Sequence, residues 1–171
     1  MRISCLNNEM RMYMRISEIN NELSLELPEG FRTMTLEEVK AASISAPDDG
    51  FTAKDEARRM IVSVHWKKLP FLLGAFADPK ENMKSTEQMI RSGLKDNAYE
   101  LLSTGTYTAG SENVPGFAYE YTVKEVRQYS EAVFLKHNNM IYALYCYGVG
   151  ERKDEVHAVF ASVLKSVQFA S

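Results

Sequence analysis

Cysteine is scarce in this sequence: Cys5 and Cys146 are the only two. They have neither the spacing of a metal site nor the density of a disulfide-stapled scaffold, and a cytoplasmic chain would keep both reduced. Glycine comes singly along the chain, which leaves no phosphate-cradling loop of either common type. His65, His137 and His157 are far apart and show no ligand spacing, so neither a metal nor a cofactor is expected. No apolar run approaches the length of a membrane span. Arg2 is followed by Asn7, Asn8 and Glu9 rather than by an apolar segment, so the start reads as neither a signal nor a transit peptide. A net charge of −3 argues mildly against nucleic acid or an anionic membrane as the main partner, since both need a concentrated basic face. These absences together point to a cytoplasmic protein.

What is present is clearest in the last third. Phe117 to Lys124 alternates large apolar with small or polar residues, the period of a strand with one dry face. Tyr129 to Lys136 puts Val133 and Leu135 on one face and Ala132 and Phe134 on the other. Met140 to Tyr147 is apolar on both faces, which places it near the middle of a sheet. His137-Asn138-Asn139 supplies a tight turn between the last two runs, because Asn tolerates positive φ. After Gly148 and Gly150, the residues Val156, Val159, Phe160, Val163, Leu164 and Val167 form one helical stripe. That stripe must lie on the sheet to be buried.

Upstream, the alternation through Met10, Met12, Met14 and Ile16 reads as a strand, and Ile3 to Leu6 as a short edge strand. Asn20-Asn21 reads as a turn, and Leu23, Leu25 and Leu27 as a second strand stopped by Pro28-Glu29-Gly30. Thr35 and Glu38 form a capping-box pattern for a helix from Leu36 to about Ser43. Asp48-Asp49-Gly50 reads as a loop, and Asp48, Asp49, Asp55 and Glu56 as solvated carboxylates. Met60, Val62, Val64 and Trp66 share one strand face, with Arg59, Ser63, His65 and Lys67 on the other. Asp78-Pro79 starts a helix with the stripe Met83, Thr86, Ile90 and Leu94. Tyr99 to Thr108 is another strand, followed by a loop through Gly110 to Asn113 and Pro115-Gly116. With no repeat or linker, residues 1–171 read as a single α+β domain: an antiparallel sheet of about six or more strands flanked by helices.

The order of elements, with Glu22-Leu23-Ser24-Leu25-Glu26-Leu27-Pro28-Glu29-Gly30-Phe31 leaving a strand through Pro-x-Gly-aromatic, resembles the PsbP-like, or Mog-type, superfamily. The resemblance runs from about Asn21 to Phe169, with residues 1–20 as an additional N-terminal strand region. It implies an α/β/α sandwich and binding rather than catalysis. Members include a photosystem-associated subunit, a Ran-binding factor and bacterial chaperones or adaptors. The chain lacks the targeting sequence of the plant members, so a photosynthetic role is not expected; it is read as a bacterial-type member, and no family site residue carries over.

Three functional readings follow. The uncharged segment Leu69 to Phe76 is unusual between a strand and a helix. Exposed, Phe71, Leu72, Leu73 and Phe76 would make a patch for another protein or for a second copy in a homodimer; folded back, they would cap the core. The second reading is a small-molecule binder using Tyr119, Tyr121, Tyr142, Tyr145 and Tyr147, although tyrosine is also an ordinary strand residue. The third is a hydrolase using His65 with Ser63, for which no third group or G-x-S-x-G motif is visible. A strand histidine beside a core tryptophan is the ordinary account of His65.

Overall fold

The computed structural model describes residues 13–42 and 50–171. The expected edge strand at Ile3 to Leu6, the beginning of the alternation at Met10 and Met12, Cys5, the end of the first helix at Ser43 and the Asp48-Asp49 loop lie outside those residues. The first half contains β1 (Tyr13–Ile19), β2 (Leu23–Pro28), β3 (Arg32–Thr33), α1 (Leu36–Ala41), β4 (Gly50–Asp55) and β5 (Met60–Lys68). Next come α2 (Phe71–Gly74), α3 (Pro79–Gly93), β6 (Glu100–Ala109), β7 (Glu112–Val123), β8 (Val126–His137) and β9 (Met140–Val149). A 3-10 turn then leads into α4 (Lys153–Lys165) and the short β10 (Gln168–Phe169).

Seven strands form one antiparallel sheet in the order β3-β4-β5-β9-β8-β7-β6, and β1-β2-β10 form a second, smaller sheet. β9 occupies the middle position, as its two apolar faces require. On one side Tyr142, Leu144 and Cys146 meet Met60, Val62 and Val64, the stripe of α4, and Leu23, Leu25 and Leu27 of β2. On the other, Phe117, Tyr119, Phe134 and Tyr145 pack against Met83, Ile90 and Leu94 of α3. The architecture is therefore α+β, an antiparallel sheet covered on both faces.

Local chemistry fixes the joints. Thr35 Oγ1 accepts the Glu38 amide at 3.2 Å while Glu38 Oε2 accepts the Thr35 amide at 2.9 Å, so the capping box closes in both directions. Asp78 Oδ1 accepts the Lys80 amide at 2.9 Å at the start of α3. Asn20, Asn21 and Asn138 take the positive φ that their hairpins need. Gly148 lies directly beneath Val156, and a Cβ there would collide with that side chain. The strand is glycine where Val156 of α4 packs onto it.

One strand was not anticipated, and two expectations need correction. β4 was not legible, because Phe51-Thr52-Ala53-Lys54 lacks alternation and is held by its register with β5. Asp55 is not solvated: it is 2 % exposed, accepts the Arg58 amide at 2.9 Å and pairs with the Arg58 guanidinium. Glu56 is solvated as expected, and is ion-paired with Arg32 at 3.0 Å and Lys54 at 2.9 Å. Pro115 belongs to β7 rather than to a loop, pairing with Thr106 of the edge strand β6. The ladder with β8 begins only at Gly116, so the missing proline N–H disturbs no second neighbour.

Candidate functional site

Pro70 ends β5, and one helical turn follows. The Leu69 amide donates to the Asn139 carbonyl at 2.7 Å, tying the turn to the β8–β9 hairpin. The Pro70 carbonyl accepts from Leu73 at 2.9 Å and Gly74 at 2.8 Å, closing α2. One turn of helix offers a single inward position, and Gly74 fills it. A Cβ there would lie 2.7 Å from Asn139 Oδ1. The large side chains are therefore directed outward: Phe71 is 84 % exposed, Leu72 80 %, Leu73 63 % and Phe76 86 %. Of the two expectations for this segment, the exposed patch is the one found. Burying each such side chain is worth about 1.5–3 kcal/mol, a gain the isolated chain leaves unused. Lys67 and Lys68 are exposed at its edge and make no ion pair among the described residues.

Beside α2 lies an open cleft of about 480 Å³ between the tips of the β1–β2 and β8–β9 hairpins. Glu22, Asn20, Trp66, Lys68 and Asn138 line it. Glu22 Oε2 accepts the Tyr142 hydroxyl at 2.5 Å, and Oε1 accepts Asn138 Nδ2 at 3.3 Å. Asn20 Nδ2 donates to the same hydroxyl at 3.0 Å. Burial, followed by the hydrogen bond to Glu22, raises the Tyr142 pKa to about 12, so its hydroxyl stays a donor. A second open cleft, of about 510 Å³, runs between Glu112, His137, Lys165 and Phe169.

Ser63 and His65 do meet, with Oγ 2.9 Å from Nε2. Ser63, however, is 0 % exposed, and His65 Nδ1 is buried with no hydrogen-bond partner among the described residues. The serine lies where substrate cannot reach it, and among the described residues no third group holds the imidazole from Nδ1 as nucleophilic catalysis requires. Burial holds the His65 pKa below its ordinary 6.5. Between the folded value and 6.5 the unfolded chain binds the extra proton, so this contribution is complete above 6.5 and lost as pH falls through that window. His65→Gln should flatten that part of a plot of Tm against pH taken from about pH 7.5 to about pH 5. An unchanged slope would show that His65 is not the group responsible.

The tyrosines divide between the two faces of the sheet. Tyr142 belongs with α4, whereas Tyr119, Tyr121, Tyr145 and Tyr147 lie on the α3 side. Tyr119 and Tyr121 stack at 5.8 Å and Tyr145 and Tyr147 at 5.7 Å, among Phe117, Phe134 and side chains of α3. The rings are packing for the sheet, and both clefts described above are lined by other residues.

Two groupings gave no signal in the sequence. Glu131, 1 % exposed, accepts from the Tyr129 hydroxyl and from His157 Nδ1, each at 2.8 Å. Glu22 and Tyr142 are 120 positions apart. The fold makes both, and no local spacing marks either.

No family model matches the sequence, and no curated protein matches it by sequence alone. Solved structures do match. Cyanobacterial PsbP (CyanoP) from Synechocystis sp. PCC 6803 superposes with a TM-score of 0.66 at 14 % identity, covering 98 % of each chain. The Saccharomyces cerevisiae Ran-binding protein Mog1p gives 0.62 at 8 %, covering 92 % of this chain and 95 % of that one. LpqN, involved in cell envelope biogenesis of Mycobacterium tuberculosis, gives 0.56 at 11 %, covering 95 % and 93 %. A likeness that spans nearly the whole chain at such low identity is one of architecture, and the protein has the PsbP-like, Mog-type fold.

Proposed function

We propose that the protein is a non-catalytic, cytoplasmic binding or adaptor module, chaperone-like in character, that makes its protein contacts through Phe71, Leu72, Leu73 and Phe76. One observation carries this reading: four large apolar side chains stand exposed on a turn whose backbone is tied down and whose inward residue is glycine. Aromatic anchors on a rigid support lose little conformational entropy when a partner covers them. That a Ran-binding protein shares the fold supports contact with protein as the kind of recognition. A second copy of the chain is the simplest such partner.

The test is the light-scattering mass of the wild type beside Phe71→Asp, with capture from native lysate by both. The side chain is already in water, so the variant should melt within about 0.5 kcal/mol of wild type. Either a dimer that becomes a monomer or a captured partner that is lost supports the reading. A wild-type monomer that captures nothing specific would sink it, as would a variant that unfolds.

A further inference from the structure

The cleft between the hairpin tips holds a carboxylate in a fixed position. The Tyr142 hydroxyl that positions Glu22 from beneath belongs to a fully buried residue, so it cannot swing aside. Asn138 and Asn20 complete the arrangement from two separate hairpins. An ionised carboxylate has about four lone-pair sites, and these contacts leave some unused. Trp66 lines the same cleft and offers it an indole. A fixed anion beside an aromatic ring complements a planar cation. Guanidinium can donate two parallel N–H groups to a carboxylate and also stack on an aromatic face. Lys68 on the rim makes no ion pair among the described residues, and its charge disfavours a ligand with two adjacent positive groups.

We propose that this cleft is a binding site for a single arginine side chain, held by Glu22 and Trp66. The source of that arginine rests on the protein-binding reading. Asn139 both lines the cleft and carries the α2 turn, so one partner segment could cover the apolar side chains and place its arginine in the cleft. The site's chemistry stands apart from that reading and can be measured without a partner.

The probe is N-acetyl-arginine methylamide, titrated into the full chain and followed by the fluorescence of Trp66, the only tryptophan. The control is the citrulline analogue, which has nearly the same shape without the charge. A saturable change with the arginine compound is expected, weakened by salt and about tenfold weaker with citrulline or in Glu22→Gln. Lys68→Gln should tighten it a few-fold by removing a like charge. The compound carries no group for the apolar turn, so its binding reports on the cleft alone and a failed apolar contact gives a different result. Equal responses to arginine and citrulline in the wild type would overturn the proposal whatever Glu22→Gln does to folding. So would the absence of a saturable response.

Discussion

Phe160→Ala should lower stability by about 3–5 kcal/mol, the cost of emptying a fully buried aromatic site. Phe160 is 0 % exposed and sits where α4, the seven-stranded sheet and β2 share one core. α4 contacts β2 on one side and β9, β8 and β6 on the other, and a helix placed between two sheets cannot collapse onto the gap. For a chain of this length the loss corresponds to a fall in Tm of roughly 10 °C. Urea unfolding with an unchanged m-value would read it as a change in stability alone. A loss below about 1 kcal/mol would mean that α4 repacks freely and that the core is not shared as described.

Gly30→Ala should cost about 2–4 kcal/mol, although it adds only a methyl group to a surface turn. Two independent causes meet there. Gly30 has φ of +102°, a conformation that L residues adopt only under strain. A Cβ would also lie 2.5 Å from Asp55 Oδ2, the buried carboxylate that pairs with Arg58. Relieving that contact means moving a buried ion pair. Gly93→Ala is the matched control, because nothing lies within 4 Å of its added carbon. It should be neutral or stabilising by up to about 1 kcal/mol. Equal effects of the two substitutions would remove this account of the turn.

Gly30 also shows why the Pro-x-Gly-aromatic exit from β2 is informative. Pro28 ends the ladder, Gly30 supplies the bend and leaves room for Asp55, and Phe31 returns the chain to the core, 6 % exposed. The pattern was readable because its cause is local. The Thr35 box, the Asp78 cap, the alternation of β2 and β5 and the stripe of α4 were readable for the same reason. Each depends on residues within four positions of one another.

What was missed depends on register. β4 and the two-residue β10 exist only because β5 and β2 present paired edges to them. Asp55 looks like loop carboxylate until the turn after it brings Arg58 back. Ser63 and His65 share a strand face, as their spacing requires, but spacing does not reveal that the face is covered. Tyr142 and Tyr145 differ by three positions and therefore point to opposite sides of β9, so the tyrosine-rich face divides between two cores. Glu131 with His157, and Glu22 with Tyr142, come together across elements whose order in the sheet no local pattern encodes.

The sequence by itself determined the periodicities, the caps and turns, the central place of β9 and the uncharged character of Leu69 to Phe76. Each follows from side-chain volume, polarity and backbone freedom over a few residues. Tertiary structure alone decided which of those residues meet water. Burial depends on what folds over a side chain from a distance, and nothing among the described residues folds over the apolar turn. There Gly74 takes the one inward position and four large apolar groups stay outside.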